Sequence, residues 1–584
     1  MKKKKLLFLP LLLAVSFVAA QNYTLQYDWS SVVKFKKRSG AMWSDVSADG
    51  NLLILSRFQT QAPDDIKGSF LGREFTGPAS TNTSGSNSIV LTKSDFKGKL
   101  LWAVSSDKGD VQSDLNSALA TKDGGAFLAL TVRHTEKSDA TDNILLRITD
   151  EQKNVHTLTW ERVQAGGEVT WINQPVFVKI SAAGKIEWIK RGEVGYEPAP
   201  AKPDKLLGTA FRFDGVTEDE NGNLYVGGCI ARKMTVDAVS IDYHNVSPEW
   251  DGDFVQKREG CSFLLKLDKN GTALSGETSG GEAKTDCPKN MLIADGKLYM
   301  LGTVKGLTGE NYSWGDKSIA PATSDGVFMM KKDLASGNVE WLSYFPSKFV
   351  NNEELRLYDG KLVAVGRFTG NITFNPETTL TVEKGHTGLI FTVDAATGNP
   401  LKGAVGTGRT NYTGLFFKNN HIWVYGYGLG GKSYLDLYTP DLTLVKTYKD
   451  VITGGGTTSY NCAEKDGKLA LIFTSRTPIT ALGGKVIQAN ESGYGFMAGV
   501  ATFNITPEGA TGLNDKLSES LFSCRADKAT LQLNLSSKAL IRVYGAMGVP
   551  VLETMLDAGI SSFSLPQGIY LVEALGQVQK VFVP

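Results

Sequence analysis

Short apolar runs return again and again along this chain, each set behind a turn-forming pair. Asp49-Gly50-Asn51 leads into Leu52-Leu53-Ile54-Leu55, and Asp123-Gly124-Gly125 into Ala126-Phe127-Leu128. The same unit follows at Asn221-Gly222, Asp295-Gly296, Asp359-Gly360, Asn419-Asn420 and Asp466-Gly467. Asp-Gly and Asn-Gly favour tight hairpins because both central positions tolerate positive φ. A second unit follows each first one: an apolar strand, a turn and another strand, often ending in tryptophan. Ile89-Val90-Leu91 leads to Trp102, Phe177-Val178-Lys179-Ile180 to Trp188, and Val327-Phe328-Met329-Met330 to Trp341. Two hairpin-like units per repeat make about four strands, which is one β-propeller blade. The pattern predicts an all-β chain with seven blades over residues 21–512. A strand around Tyr23 to Trp29 is expected to complete the last blade and close the ring.

Between the two units, some repeats carry a further piece such as Phe368-Thr369-Gly370-Asn371-Ile372-Thr373-Phe374, with Leu380 and Gly388 behind it. With the strand and turn that follow, this is similar to the β-propeller repeats of bacterial secreted proteins. The stretch Pro198-Ala199-Pro200-Ala201-Lys202-Pro203 reads as an extended, exposed loop.

From about Leu531 the pattern becomes short and evenly spaced, predicting a small C-terminal β-sandwich within 513–584, behind a linker at Thr506 to Ser520. Its features are the strand and turn from Val543 to Gly548, the Gly568-Ile569-Tyr570 step, and a basic-then-apolar end from Lys580 to Val583. These residues resemble the C-terminal type A sorting domain of Bacteroidetes type IX secretion cargo. The Pro-Asn-Pro that often opens such domains is absent. The resemblance implies passage through the type IX secretion machinery, removal of the domain, and attachment to surface lipopolysaccharide or release. It makes Gly548, Gly568, Tyr570 and Lys580 the sorting-motif positions.

The other end carries the layout of a secretory signal over residues 1–20. Lys2 to Lys5 form a basic start, Leu6 to Val18 an apolar run, and Ala19-Ala20 precede Gln21, so cleavage is expected between Ala20 and Gln21. The run falls short of the roughly 20 residues that span a bilayer, and no later segment is long and apolar enough. The whole chain holds 62 basic and 61 acidic residues; the signal takes four lysines and no acid, leaving 58 against 61, a charge of −3. Nucleic acid is therefore not an expected partner, since phosphate binding needs a concentrated basic face.

Candidate chemistry is sparse. Cys229, Cys261, Cys287, Cys462 and Cys524 contain no CxxC pair. The first three are close enough in sequence to allow a disulfide, though isolated buried thiols are the expected state. Gly426-Tyr427-Gly428-Leu429-Gly430-Gly431-Lys432-Ser433 fits the phosphate-loop pattern, yet Tyr434 to Tyr438 alternates like a strand and Pro440 opposes the helix that phosphate binding requires. It is expected to be an inter-strand loop. His134, His156, His244, His386 and His421 show no metal-ligand spacing. Asp219 to Asn223 and Asp268 to Gly271 carry oxygens suited to calcium, but turn chemistry accounts for them. Trp102, Trp188 and Trp341 recur in register and are expected to pack blades. Trp29, Trp43, Trp160, Trp171, Trp250, Trp314 and Trp423 are less regular, and a sugar would be sought on those that lie on exposed loops. No catalytic, cofactor-binding or metal-binding residue is singled out.

The expected function is that of an exported, non-enzymatic cell-surface (outer-membrane) or secreted protein whose propeller recognises a protein or glycan. A propeller hydrolase or lyase with acids converging at the axis is the alternative, as is a structural or secretion-associated envelope component.

Overall fold

The computed structural model describes residues 23–33, 38–60, 67–76, 86–111, 117–133, 143–160, 164–165, 168–169, 173–195, 198–199, 202–206, 211–230, 233–242, 250–251, 255–256, 261–281, 283–307, 311–319, 325–375, 378–455, 458–487, 497–507, 522–527, 529–545, 549–574 and 577–583. The expected signal with Ala20 and Gln21, the sorting position Gly548, and most of the expected linker lie outside them. The chain divides into two compact units, one of which runs from Thr24 to Ile505 and the other of which contains the residues from Thr506 onward.

The larger unit is a β-propeller of antiparallel four-strand meanders. Blade 1 runs Arg38–Val46, Leu52–Thr60, Ser86–Ser94 and Leu100–Lys108; blade 3 runs Phe211–Glu218, Leu224–Ile230, Cys261–Leu267 and Ala273–Thr278. Blades 2, 4, 5 and 6 begin with Ala118–Ala120, Ala283–Ala294, the later half of Val339–Tyr358, and Arg409–Lys418. Val339–Tyr358 is continuous, forming the outer strand of blade 4 before entering blade 5 as its inner strand. The last blade joins Thr458–Lys465, Lys468–Ser475 and Met497–Pro507 to the N-terminal strand Tyr23–Val32. Each inner strand neighbours that of the next blade, and Thr458–Lys465 returns to Arg38–Val46, so the ring closes.

Burial follows position within a blade. Second and third strands lie between neighbouring blades and read as nearly continuous apolar runs, as in Leu224–Ile230 and Gln174–Ile180. Fourth strands reach the rim and carry charge, as in Ile186–Arg191. The repeated Asp/Asn turns join first to second strands in two ways. In blades 4 to 7 both central residues have positive φ, for example Asp359 at 48° and Gly360 at 70°, the geometry of a two-residue hairpin. In blades 1 to 3 the turn is longer and closed by backbone bonds such as Ser47 N to Asn51 O at 2.8 Å.

The recurrent tryptophans latch neighbouring blades. Each packs from a fourth strand onto a positive-φ glycine in the turn between the third and fourth strands of the next blade. A Cβ at Gly184 would stand 2.7 Å from Trp102, one at Gly271 2.9 Å from Trp188, and one at Gly398 2.7 Å from Trp341. The indole N–H groups donate to Ala182 O at 2.8 Å, Lys269 O at 2.9 Å and Ala395 O at 3.3 Å. Glycine is required twice over, for its φ and for the missing side chain. Trp29 is a fourth member, lying over Gly98 and donating to Phe96 O at 2.5 Å. It therefore belongs to the periodic set from which its N-terminal position separated it, and its latch joins the last blade to the first.

Short ribbons inserted between second and third strands cover rims. Ile144–Thr149 with Val155–Thr159 pairs onto the outer strand of blade 1, and Ile479–Ala481 with Lys485–Ile487 onto that of blade 6. Such cover blunts an otherwise open sheet edge. Of the Pro198 to Pro203 stretch, expected as a loop, Pro198–Ala199 pairs with Lys202–Leu206 as a short ribbon, and Pro200 and Ala201 lie outside the described residues. The phosphate-loop-like segment is a hairpin between His421–Gly428 and Lys432–Tyr438. Lys432 and Ser433 open a strand, so no helix N-terminus faces the turn, and Ser433 Oγ accepts from Ile452 N at 2.8 Å.

In the C-terminal unit, Phe522–Asp527, Thr530–Leu535 and Gly559–Ser564 form one sheet; Pro550–Leu556, Ala539–Gly545, Gly568–Ala574 and Gln577–Val583 form another. Alternating residues from both, including Leu531, Leu533, Ile541, Val543, Val572 and Val583, share one apolar core.

Candidate functional site

Because the inner strands converge, side chains from distant blades meet along the propeller axis. A cavity of about 250 Å³ near the mouth formed by the Asp/Asn turns is lined by Asp45, Glu218, Asn290, Glu354, Arg356 and Asn461, among others. Glu354 Oε1 accepts from Arg356 Nε at 2.7 Å, and its Oε2 accepts from Leu415 N at 2.8 Å. Burial pushes the Glu354 carboxyl above the usual range, although Arg356 opposes the shift. Asp45 is raised for the same reason, against the pull of Arg356 and a 2.7 Å bond from Val46 N. Glu354, then Asp45, holds the guanidinium of Arg356 firmly charged. Two carboxyls thus face one cation here.

Deeper along the inner strands of blades 3 and 4 the balance reverses. Buried Asp214 accepts from Arg212 Nε at 2.5 Å and Lys289 Nζ at 3.3 Å, and Cys287 Sγ donates to it at 2.8 Å. Burial alone would raise the Asp214 carboxyl, but Lys289 and then Arg212 hold it below the usual range. The Arg212 guanidinium also reaches Cys287 Sγ at 3.4 Å.

A second cleft, of about 400 Å³, lies at the rim of blades 1 and 2. It is lined by Trp160, Asn143, Thr159, Arg191 and Glu193. Trp160 is half-buried, anchored by Trp160 N to Asn143 O at 2.8 Å and packed on the core beneath. Arg191 Nη2 donates to Glu193 Oε1 at 3.0 Å.

The sequence-selected residues sort as follows. Trp314 and Trp423 are buried in the core and offer no platform to a ligand; Trp43 is buried too but lines the axial cavity, and Trp160 offers its face at the rim. Trp171 and the side chain of Trp250 lie outside the described residues, as do His134 and His244. His156 contacts Asp150 at 3.3 Å, His386 contacts Thr369 at 2.6 Å, and His421 contacts Asn419 O at 2.8 Å, each a local tie outside the axial cavity. Asp219 accepts from Asn221 N and Asn223 N, both at 2.9 Å, and Asp268 from Asn270 N and Thr272 N, which is turn chemistry. Of the sorting positions, Gly568 pairs with Val583 and Tyr570 with Val581; Tyr570 is buried and donates to Pro566 O at 2.9 Å. Lys580 stands opposite Leu571 in the last hairpin.

The axial residues escaped sequence reading because they come from five blades. The outer face of the larger C-terminal sheet escaped it as well. Leu540 and Met555 are register partners on that face, as are Ile569 and Phe582, and all are exposed.

No family model matches the chain, and no curated protein matches it. Among solved structures, BamB from Moraxella catarrhalis aligns at 11% identity over 71% of this chain and 88% of that one, with a TM-score of 0.30. The Dos1 propeller aligns at 9% identity over 82% of this chain and 95% of that one, with a TM-score of 0.38.

Proposed function

We propose that this is an exported, non-enzymatic binding protein that reaches the cell surface or the medium through the type IX secretion machinery and recognises a glycan on its propeller rim. The observation that carries the reading is the Trp160 cleft. An aromatic face supported from below and flanked by Asn143, Thr159, Arg191 and Glu193 offers stacking and hydrogen bonding to a sugar ring together. Titration of the purified chain against surface polysaccharides, with Trp160→Ala beside the parent, tests it. Binding that falls at least tenfold in the variant supports the cleft; equal binding removes it as the site.

The export half rests on the signal-like start, the resemblance of the C-terminal unit to sorting domains, and the apolar outer face of its larger sheet. Intact mass and location of the protein, in cells with and without a working type IX pathway, test that half. Lipopolysaccharide attachment would appear as a heavier, membrane-held form. The hydrolase or lyase alternative draws on the axial carboxyls, but Glu354 is engaged by Arg356 and Leu415 N, which disfavours a free general base. Turnover of a polysaccharide or peptide pool that disappears in Glu354→Gln would reverse this preference.

A further inference from the structure

Cys229 lies on the second strand of blade 3 and Cys287 on the inner strand of blade 4. Their sulfurs and a carboxylate oxygen of Asp214 all lie within 4.8 Å of one another. Strand register explains why these two meet. Cys229 pairs with Arg212 on one side and Ser262 on the other, while Cys261 pairs with Ile230. Cross-strand partners share a face of the sheet and successive residues alternate, so Cys261 points to the opposite face and into the apolar core. Of the three thiols that spacing leaves open, geometry keeps one pair.

The surroundings suit thiol chemistry better than a metal. Asp214 is the only carboxylate of the group, and its oxygens are already engaged by Arg212, Lys289 and the Cys287 thiol. Two fixed cations against one carboxylate leave a positive excess, which a thiolate balances and a dication would worsen. The neighbouring Cys287 sulfur, helped by the Arg212 guanidinium, holds the Cys229 thiol below its usual range against the cost of burial. Burial, with Cys229 and Asp214 adding to it, pushes the partner Cys287 up. Cys229 is also partly accessible, whereas Cys287 is buried. That is the asymmetry of an attacking and a resolving thiol.

We infer that Cys229 and Cys287 form a redox-active pair that closes into an inter-blade disulfide when a small disulfide oxidant reaches the propeller. Cys229 gives its proton to solvent, and its thiolate attacks one sulfur of the oxidant, forming a mixed disulfide and releasing a thiolate that takes a proton back from solvent. Cys287 then passes its proton along its hydrogen bond to Asp214 and attacks the Cys229 sulfur. The second oxidant thiol departs with that proton, so two protein thiols are oxidised to one disulfide while one oxidant disulfide is reduced to two thiols.

Oxidised glutathione added to the reduced full-length chain is the test, read by intact mass, thiol count and peptide mapping. The expected product has lost two hydrogens, retains no glutathione, and contains a peptide pair joined through Cys229 and Cys287. Its alkylatable thiols, counted in denaturant, fall from the five of the sequence to three. Cys287→Ser is expected to stall with glutathione on Cys229, and Cys229→Ser to remain unmodified at Cys287. Matching thermal unfolding of the reduced variants and the reduced parent shows that the readout is chemical. Five thiols persisting in the treated parent would overturn the inference. So would a bound zinc ion that shields both thiols until a chelator removes it, since that would make the group a metal site. Neither result bears on the Trp160 cleft, which is scored separately by glycan titration.

Discussion

The two units dispose of their apolar side chains differently. Among the described residues of the propeller, the large exposed apolar side chains are scattered, from Leu101 and Val155 to Leu429 and Val486. The much shorter C-terminal unit exposes as many, including Leu540, Val551, Met555, Ile569, Leu571 and Phe582. Several share one face of one sheet by register. A propeller can hide nearly all its apolar surface because each blade is covered by two others, and its ribbons cover rims. A two-sheet unit has inner faces to bury and outer faces to show. Outer faces are ordinarily polar, and here only a few charged contacts, such as Arg542 with Glu553 at 3.2 Å, interrupt the apolar one. An apolar face this concentrated is the kind on which a contact forms, and the proposed export role would use it.

Four variants break or sharpen this contrast. Trp102→Ala removes a buried latch between blades 1 and 2, and should lower propeller stability by about 3–5 kcal/mol. Denaturant unfolding followed by tryptophan fluorescence measures it, and a loss under about 1 kcal/mol would mean that the latch is decorative. Tyr570→Phe removes the bond to Pro566 O inside the C-terminal unit, with an expected cost of about 1 kcal/mol. Limited proteolysis across a urea series should show the C-terminal unit opening earlier while the propeller is unchanged.

Asp45→Asn acts through pH. Burial raises this carboxyl in the folded chain, so between the unfolded value near 3.9 and its own raised value the folded state holds the extra proton. Parent stability should therefore fall as pH rises through that window and stay level above it. The variant lacks the Asp45 share of this fall while Glu354 keeps its own, and urea midpoints collected upward from pH 4 compare the two; parallel curves would contradict the raised Asp45 carboxyl. Smallest in stability is the double change Ile569→Lys with Phe582→Lys, expected within about 0.5 kcal/mol of the parent because both side chains are exposed. Its consequence should be loss of release into the medium, measured by immunoblot of culture fractions. Undiminished release would separate the apolar face from export.

Much of the fold was legible because it repeats. The Asp/Asn turns and the apolar strands behind them recur at every blade, and the tryptophans at positions 102, 188 and 341 announced a shared packing role. The strand of Trp29 is expected to close the ring, and it does, but Trp29 does not join the set by spacing because the third strand of its blade lies at the other end of the propeller. The candidate sites were less legible. Asp45, Glu354 and Arg356 come together only because inner strands from separate blades converge, and no linear spacing encodes that meeting. The thiol pair needed strand register to choose among three candidates. Trp160 stands among the less regular tryptophans in the sequence, but the cleft beside it depends on a ribbon folding back over blade 1.

Ring closure also sets a timetable. Trp29 and Thr502 bond to each other across 473 positions of sequence, Trp29 N to Thr502 Oγ1 at 3.3 Å and Thr502 Oγ1 to Trp29 O at 3.2 Å. Bringing such distant segments together adds only about 0.6 kcal/mol for each doubling of the loop, so equilibrium is barely burdened. The kinetics are another matter, since contacts this remote in sequence slow folding. The first strand made must wait unpaired until the last strand of the propeller, Met497–Pro507, has emerged. A chain still being made therefore holds an open arc of blades, and the finished ring is a state it reaches only once both ends of the propeller are present.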